Sequence, residues 1–102
     1  MKIYIAGKIS GQDLEKAKKK FAKAEKEMRQ RGFETVNPLA IQKIHPDKSW
    51  GDYMLEDIKQ LLRCDAILLL PDWEDSTGAK IEKMIAQKMG MRVIQPFKVT
   101  RQ

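Results

Sequence analysis

The sequence predicts an α/β fold, a three-layer open parallel sheet of four or five strands with helices on both faces. Three features of the chain point to it. Short β-prone runs alternate with longer stretches in which apolar residues recur every three or four positions. One run, Ala66-Ile67-Leu68-Leu69-Leu70, is apolar without interruption, as a strand covered on both faces of a parallel sheet must be. With 102 residues, 42% hydrophobic and 33% charged, the chain can fill one packed core and not two, so a single domain over residues 1–102 is expected.

The elements follow in order. Lys2-Ile3-Tyr4-Ile5-Ala6 reads as a first strand ended by Gly7. From about residue 12 to residue 31, Leu14, Ala17, Phe21, Ala24 and Met28 form one helical apolar stripe, and Gly32 supplies the stop. Phe33-Glu34-Thr35-Val36 is a second strand closed by Asn37-Pro38, because proline restricts its predecessor and cannot donate to a ladder. Residues 39–49 carry Pro46, Asp47 and Ser49 without a sustained period, which predicts a loop with room for a short turn of helix.

Between Trp50 and Arg63 the positions Trp50, Met54, Ile58, Leu61 and Leu62 mark a second helix, and Cys64-Asp65 leads into the central strand, closed by Pro71. After a polar loop over 71–78, Ile81, Ile85 and Met89 mark a third helix ended by Gly90, and Met91-Arg92-Val93-Ile94 is a last strand before Pro96. Such alternation with right-handed crossovers gives a flavodoxin-like or Rossmann-like sheet, whose ligands bind beyond the carboxyl ends of the strands.

Composition narrows the function classes. No window offers the roughly 18 apolar residues of a membrane span, and Lys2-Ile3-Tyr4-Ile5-Ala6-Gly7 does not open a signal peptide, so a soluble cytoplasmic protein without a membrane partner is expected. A single cysteine, Cys64, and a single histidine, His45, predict neither disulfide nor metal, and no cofactor is expected. The formal charge of +6 welcomes an anionic ligand. Lys16, Lys18, Lys19, Lys20, Lys23 and Lys26 all fall in the first helix, where a solvated face explains them, and at 7% aromatic the chain lacks the stacking residues of a nucleic-acid binder.

A parallel sheet would bring three loops to one edge: Gly7 to Gly11, Asn37 onward, and Pro71 to Gly78. Gly7-Lys8-Ile9-Ser10-Gly11 has a hydroxyl and a cation at the start of a helix, a place that favours an anion, although it also reads as an ordinary tight turn. Asp72, Glu74 and Asp75 crowd the third loop, and one of Asp75, Ser76 and Thr77 is expected to cap the following helix. Glu82 lies just inside that helix, within two turns of the hydroxyl of Ser76 and the amide of Gly78. Tyr53 and Asp57, four apart, share a helix face. The rings of Trp50 and Trp73 can stack on a planar ligand, though core packing or loop anchoring would explain each. His45 has no assigned role, and Cys64 reads as an inert core residue.

Several of these residues together resemble a family: Ile3-Tyr4-Ile5-Ala6-Gly7, Asn37-Pro38, Trp50 with Tyr53-Met54, Asp57, Cys64-Asp65, Leu70-Pro71, and Ser76-Thr77-Gly78-Ala79 leading to Glu82. They look like the small nucleoside 2-deoxyribosyltransferase-like domain family of uncharacterised DUF4406-type proteins, similar to nucleoside 2-deoxyribosyltransferases and 2′-deoxynucleoside 5′-phosphate N-hydrolases. The resemblance implies cleavage of an N-glycosidic bond, by hydrolysis or by base transfer. Glu82 would attack the anomeric carbon, and Asp57, eight residues before Asp65, would contact the base and assist proton transfer. Tyr4, Gly7, Lys8, Ser10, Gly11, Asn37, Trp50, Tyr53, Asp75, Ser76 and Gly78 would bind substrate.

Six residues before the catalytic Glu, the relatives that act on free nucleosides tend to have Asp and the monophosphate hydrolases Ser. Here that position is Ser76, with Asp75 beside it, which implies a nucleoside 5′-monophosphate. The chain departs from the hydrolases in having Lys8 and Ser10 where they tend to have Ser and Arg. The resemblance also implies a homodimer or larger homo-oligomer. A non-catalytic nucleotide-binding or sensing module, and lastly a basic nucleic-acid-binding accessory protein, are the alternatives.

Overall fold

The computed structural model describes residues 1–11, 13–41 and 45–95. Four strands, β1 (Lys2–Ala6), β2 (Glu34–Val36), β3 (Ala66–Leu69) and β4 (Arg92–Ile94), form one sheet in the order β2-β1-β3-β4, and every neighbouring pair is parallel. Helices α1 (Leu14–Gln30), α2 (Pro38–Ile41), α3 (Trp50–Leu61) and α4 (Thr77–Lys88) connect them, with a 3-10 turn at Trp73–Asp75. The predicted α/β architecture is present, with four strands among the described residues. The expected start of the first helix at residue 12, part of the 39–49 loop, and Pro96 lie outside those residues.

Local chemistry sets the element boundaries. Asp13 caps α1 by accepting from the Glu15 amide at 2.8 Å, so the helix begins at Leu14. It ends in a Schellman turn: Gly32 takes φ +89°, its amide donates to Arg29, and the Phe33 amide donates to Met28. Ser49 and Asp52 form a capping box at the start of α3, and Ser76 accepts from the Ala79 amide at 3.1 Å to cap α4. The short turn expected in the second loop is α2, capped by Asn37 through the Leu39 amide.

The strands' side chains alternate between the two faces of the sheet. Ile3 and Ile5 of β1, with Ala66 and Leu68 of β3, pack against Phe21, Ala24 and Met28 of α1. Tyr4 and Ala6, with Ile67 and Leu69, face Leu61 of α3 and Ala79 and Ala86 of α4. Both sheet faces are therefore covered, which is why β3 can be apolar throughout. Each large apolar side chain buried on α1 contributes about 1.5–3 kcal/mol. That outweighs the roughly 0.2–0.5 kcal/mol each like-charge lysine pair costs on the opposite face. Cys64 is buried, its Sγ donates to the Gln60 carbonyl, and burial pushes the thiol up to about 11, so it is protonated and inert at neutral pH. Among the described residues no helix is long and apolar enough to cross a membrane.

Between β1 and β3 the chain order reverses: β1 leads to the β2 edge, and β3 leads to the β4 edge. Their following loops diverge and leave a crevice at the carboxyl ends of both strands. The crevice depends on a close approach, since a Cβ on Gly7 would stand 2.8 Å from Cδ1 and 3.0 Å from Cβ of the buried Leu70. Gly7→Ala should therefore destabilise the fold by about 1–3 kcal/mol. Gly51→Ala, whose Cβ would have only Ser49 Oγ at 3.7 Å within reach, should stabilise α3 by roughly 0.5–1 kcal/mol. Urea denaturation midpoints of the two variants should move in opposite directions.

Candidate functional site

A cleft of about 610 Å³ opens at the carboxyl ends of β1 and β3, a volume in the range of small-molecule sites. Gly7, Ile9 and Ser10 after β1 form one wall and Pro38 and Leu39 another. Trp50, Tyr53, Met54 and Asp57 enter from α3, at helical spacings that put them on one face. The stretch from Asp75 to Ala79, and Glu82, close the remaining side. The three loops expected to converge at one sheet edge do so.

Two of these side chains occupy positions that helix packing would give to apolar residues. The buried stripe of α4 runs Ala79, Glu82, Ala86, and that of α3 runs Met54, Asp57, Leu61. Each helix interrupts its own core-facing stripe with a carboxylate where it borders the cleft. Asp57 is 8% exposed and Glu82 5% exposed. Neither burial is explained by packing, and positions that break the local rule in this way are where function concentrates.

The electrostatics follow from that burial. The Tyr4 hydroxyl, rising from β1 beneath α4, donates to Glu82 Oε2 at 2.7 Å. Desolvation pushes the Glu82 carboxyl up to about 8, the Tyr4 hydrogen bond works against that rise, and the charge of Asp57 adds to it. The Tyr4 phenol is itself held well above its ordinary value by burial and by the Glu82 and Asp57 charges. Near neutral pH the folded protein therefore keeps a proton on Glu82, beside a second buried carboxyl. Among the described residues lining the cleft there is no lysine or arginine. Nor is any group of three or more His, Cys, Asp or Glu among the described residues placed to hold a metal ion.

Of the residues expected from sequence, Gly7, Ser10, Trp50, Tyr53, Asp57, Asp75, Ser76, Gly78 and Glu82 are brought together on the cleft wall. Tyr4, Lys8, Gly11 and Asn37 are not on it. Tyr4 stands behind Glu82 as its hydrogen-bond donor. The Lys8 amide donates to Asp72 at 3.0 Å. Gly11 supplies a left-handed turn at φ +78°. Asn37 is buried and spends its side-chain oxygen on capping α2.

The two tryptophans part company. Trp50 is half-exposed on the cleft wall, so core packing does not explain it. Trp73 packs against the core with Lys83 Nζ 4.5 Å above its ring, the anchoring role expected of a loop aromatic. The Tyr53 hydroxyl bonds the backbone of His45, accepting from its amide at 2.8 Å and donating to its carbonyl at 3.1 Å, which ties the preceding turn to α3. The sequence did not assign Ile9, Leu39 or Met54 to a ligand site, although Met54 belongs to the α3 stripe and to the family resemblance, because only the tertiary fold separates a cleft-facing apolar residue from a core one.

The raised Glu82 carboxyl has a direct consequence for stability. From its ordinary 4.5 to about 8, the unfolded chain releases this proton while the folded chain retains it. Stability from this group is thus complete below pH 4.5 and is lost as pH rises to 8. Glu82→Gln removes the titration, so its stability relative to wild type should climb by up to about 4 kcal/mol between pH 4.5 and pH 8.5. Urea titrations at the two pH values measure this, and an unchanged difference would mean that Glu82 ionises as an ordinary surface carboxylate.

No curated protein matches the sequence. Residues 1–95 match the family described as Domain of unknown function (DUF4406). That match spans every described element from β1 to β4 and every residue on the cleft wall, and the chain belongs to the DUF4406 family.

Proposed function

We propose that this cleft cleaves the N-glycosidic bond of a nucleoside 5′-monophosphate, by hydrolysis or by transfer to a second base, with Glu82 as nucleophile and Asp57 as proton donor. The observation that carries the proposal is the pair of buried carboxyls, each breaking an apolar helix stripe to face one nucleotide-sized cleft. Cleavage of this bond builds positive charge on the sugar and negative charge on the departing base, and one anionic and one protonated carboxyl answer those two needs.

The site holds one proton to share between the two groups. At rest that proton lies on Glu82; the reaction needs it on Asp57, and the Tyr4 hydrogen bond, which favours the Glu82 anion, eases that transfer. With Oε2 engaged by Tyr4, Glu82 Oε1 is the oxygen available to attack. Its lone pair forms the bond to the anomeric carbon, the carbon–nitrogen bond breaks toward the base, and Asp57 protonates the leaving nitrogen. Asp57, now a carboxylate, takes a proton from the incoming water or second base, which displaces Glu82 and restores both groups.

The phosphate would rest on the N-terminus of α4. There the first-turn amides of Thr77 and Gly78 have no intrahelical acceptor, and Ser76, whose oxygen accepts from Ala79, still has its hydroxyl proton to give. A free nucleoside is the second reading. It is favoured by Asp75, an exposed carboxylate on the wall that can accept from a 5′-hydroxyl, and by the absence of a basic side chain among the described lining residues.

Incubation with paired nucleosides and nucleoside 5′-monophosphates, with released base measured by chromatography, tests the proposal. Wild type should release base, Glu82→Ala should lose at least about 10³-fold in rate, and Asp57→Asn about 10²–10⁴-fold. Undiminished turnover in Glu82→Ala would exclude it as nucleophile, and tight binding without base release would make the protein a sensing module. The rate should fall as pH rises above about 8, where the shared proton is lost and Glu82 is an anion beside an Asp57 with no proton left to give. Tyr4→Phe removes a donor that favours that anion, so the midpoint of the pH–rate profile should move upward.

A further inference from the structure

A cluster of charged groups outside the cleft holds one of its walls. The Asp72 carboxylate accepts the Lys8 amide at 3.0 Å through Oδ1, and its Oδ2 pairs with Lys20 Nζ. Lys20 Nζ also donates to the Lys8 carbonyl at 3.0 Å. The Lys8 residue is thus gripped at both its N–H and its C=O by a single ion pair, one arm from α1 and one from the turn after β3. Neither Lys20 nor Asp72 lines the cleft. They border a separate hollow of about 260 Å³ with Leu70 and Pro71. Their side chains are 26% and 27% exposed, so the sheet core does not need them.

The placement of this pair matters more than its strength. Ile9 and Ser10, the next two residues, are cleft wall, and Asp75 and Ser76, three and four residues beyond Asp72, are wall on the facing side. Lys8 is the point where the chain leaves the buried end of β1 for that wall. Fixing both polar groups of one residue fixes the direction in which Ile9 and Ser10 depart, and does so relative to the loop that carries Ser76.

We infer that Asp72 and Lys20 are positioning residues, a latch that holds the β1–α1 loop in its cleft-forming shape and ties it to the β3–α4 loop. The latch is directional. Position 72 must present an acceptor to the Lys8 N–H and position 20 a donor to the Lys8 C=O. A plain attraction between opposite charges would work in either orientation; this one does not.

The kinetic arm of the test rests on the function proposed above, and the exchange arm does not. In Asp72→Ala, amide hydrogen exchange at Lys8 should accelerate by about tenfold or more, while the Leu70 amide, bonded to the Ala6 carbonyl in the sheet, keeps its protection. Asp72→Asn, which retains an acceptor, should show a smaller change. The exchanged pair Lys20→Asp with Asp72→Lys should restore neither loop order nor binding. With the nucleoside 5′-monophosphate that wild type cleaves best, Lys20→Met and Asp72→Ala should raise KM about tenfold, leave kcat within about twofold, and leave the pH midpoint in place. Unchanged exchange at Lys8, rescue by the charge-swapped pair, or an unchanged KM would each overturn the latch. If wild type cleaves no nucleotide, the functional proposal falls and the exchange measurements alone decide whether Asp72 and Lys20 order this loop.

Discussion

The parallel pairing of β1 with β3, in register from Ile3 opposite Ala66 to Ala6 opposite Leu69, places nearly everything else. Each strand offers one row of side chains to α1 and the other to α3 and α4, so both layers of the core are organised about the same two strands. The pairing also fixes where chain order reverses, and the cleft exists because the loops leaving these neighbours go opposite ways. Even the entry into the pair is reinforced: the Lys2 amide donates to the Asp65 carboxylate at 2.8 Å, and the Asp65 amide donates to the Lys2 carbonyl at the same distance.

On that platform, Glu82 shows how a small domain can afford a destabilising group. A carboxyl in the row of Ala79 and Ala86 sits where desolvation opposes its charge, and the fold answers with one hydrogen bond from a tyrosine that is itself buried. Tyr4 belongs to an inner strand paired on both sides, which holds the donor in place against the acceptor. The arrangement keeps the carboxyl oriented without neutralising it by a cation, which preserves its capacity to change protonation state when a ligand changes the local field.

The legible parts of this protein are those governed by local rules. The stripe Leu14, Ala17, Phe21, Ala24, Met28 specified α1, the unbroken run at 66–70 specified a doubly covered strand, and Gly32 and Gly90 marked the helix ends at which left-handed turns occur. Glu82 and Asp57 stand out through the family resemblance and not through a local rule, since a carboxylate near a helix start is ordinary by itself. What stayed hidden depends on distance in sequence. Lys20 pairs with Asp72 across 52 positions, and in a lysine-rich helix nothing local separates it from Lys19 or Lys23. Trp50 fits the periodic stripe of α3 yet lies half-exposed, because at the first turn of the helix that stripe faces the cleft and not the packed core. Asn37, marked by its place before Pro38, uses its side chain to start α2.

The strand order also bears on how the chain assembles itself. β1 is synthesised before the other strands, but its partners begin at Glu34 and Ala66, so this inner strand must wait for much of the chain before its neighbours exist. Contacts so distant in sequence slow folding and leave apolar edges uncovered in the interval. Helix α1 packs on the same side of the sheet as Ile3 and Ile5 and is available earlier than β3. Its amphipathic face can shelter β1 while the ribosome is still producing the central strand, and its lysines keep the outer surface of that partial structure charged and apart from its copies.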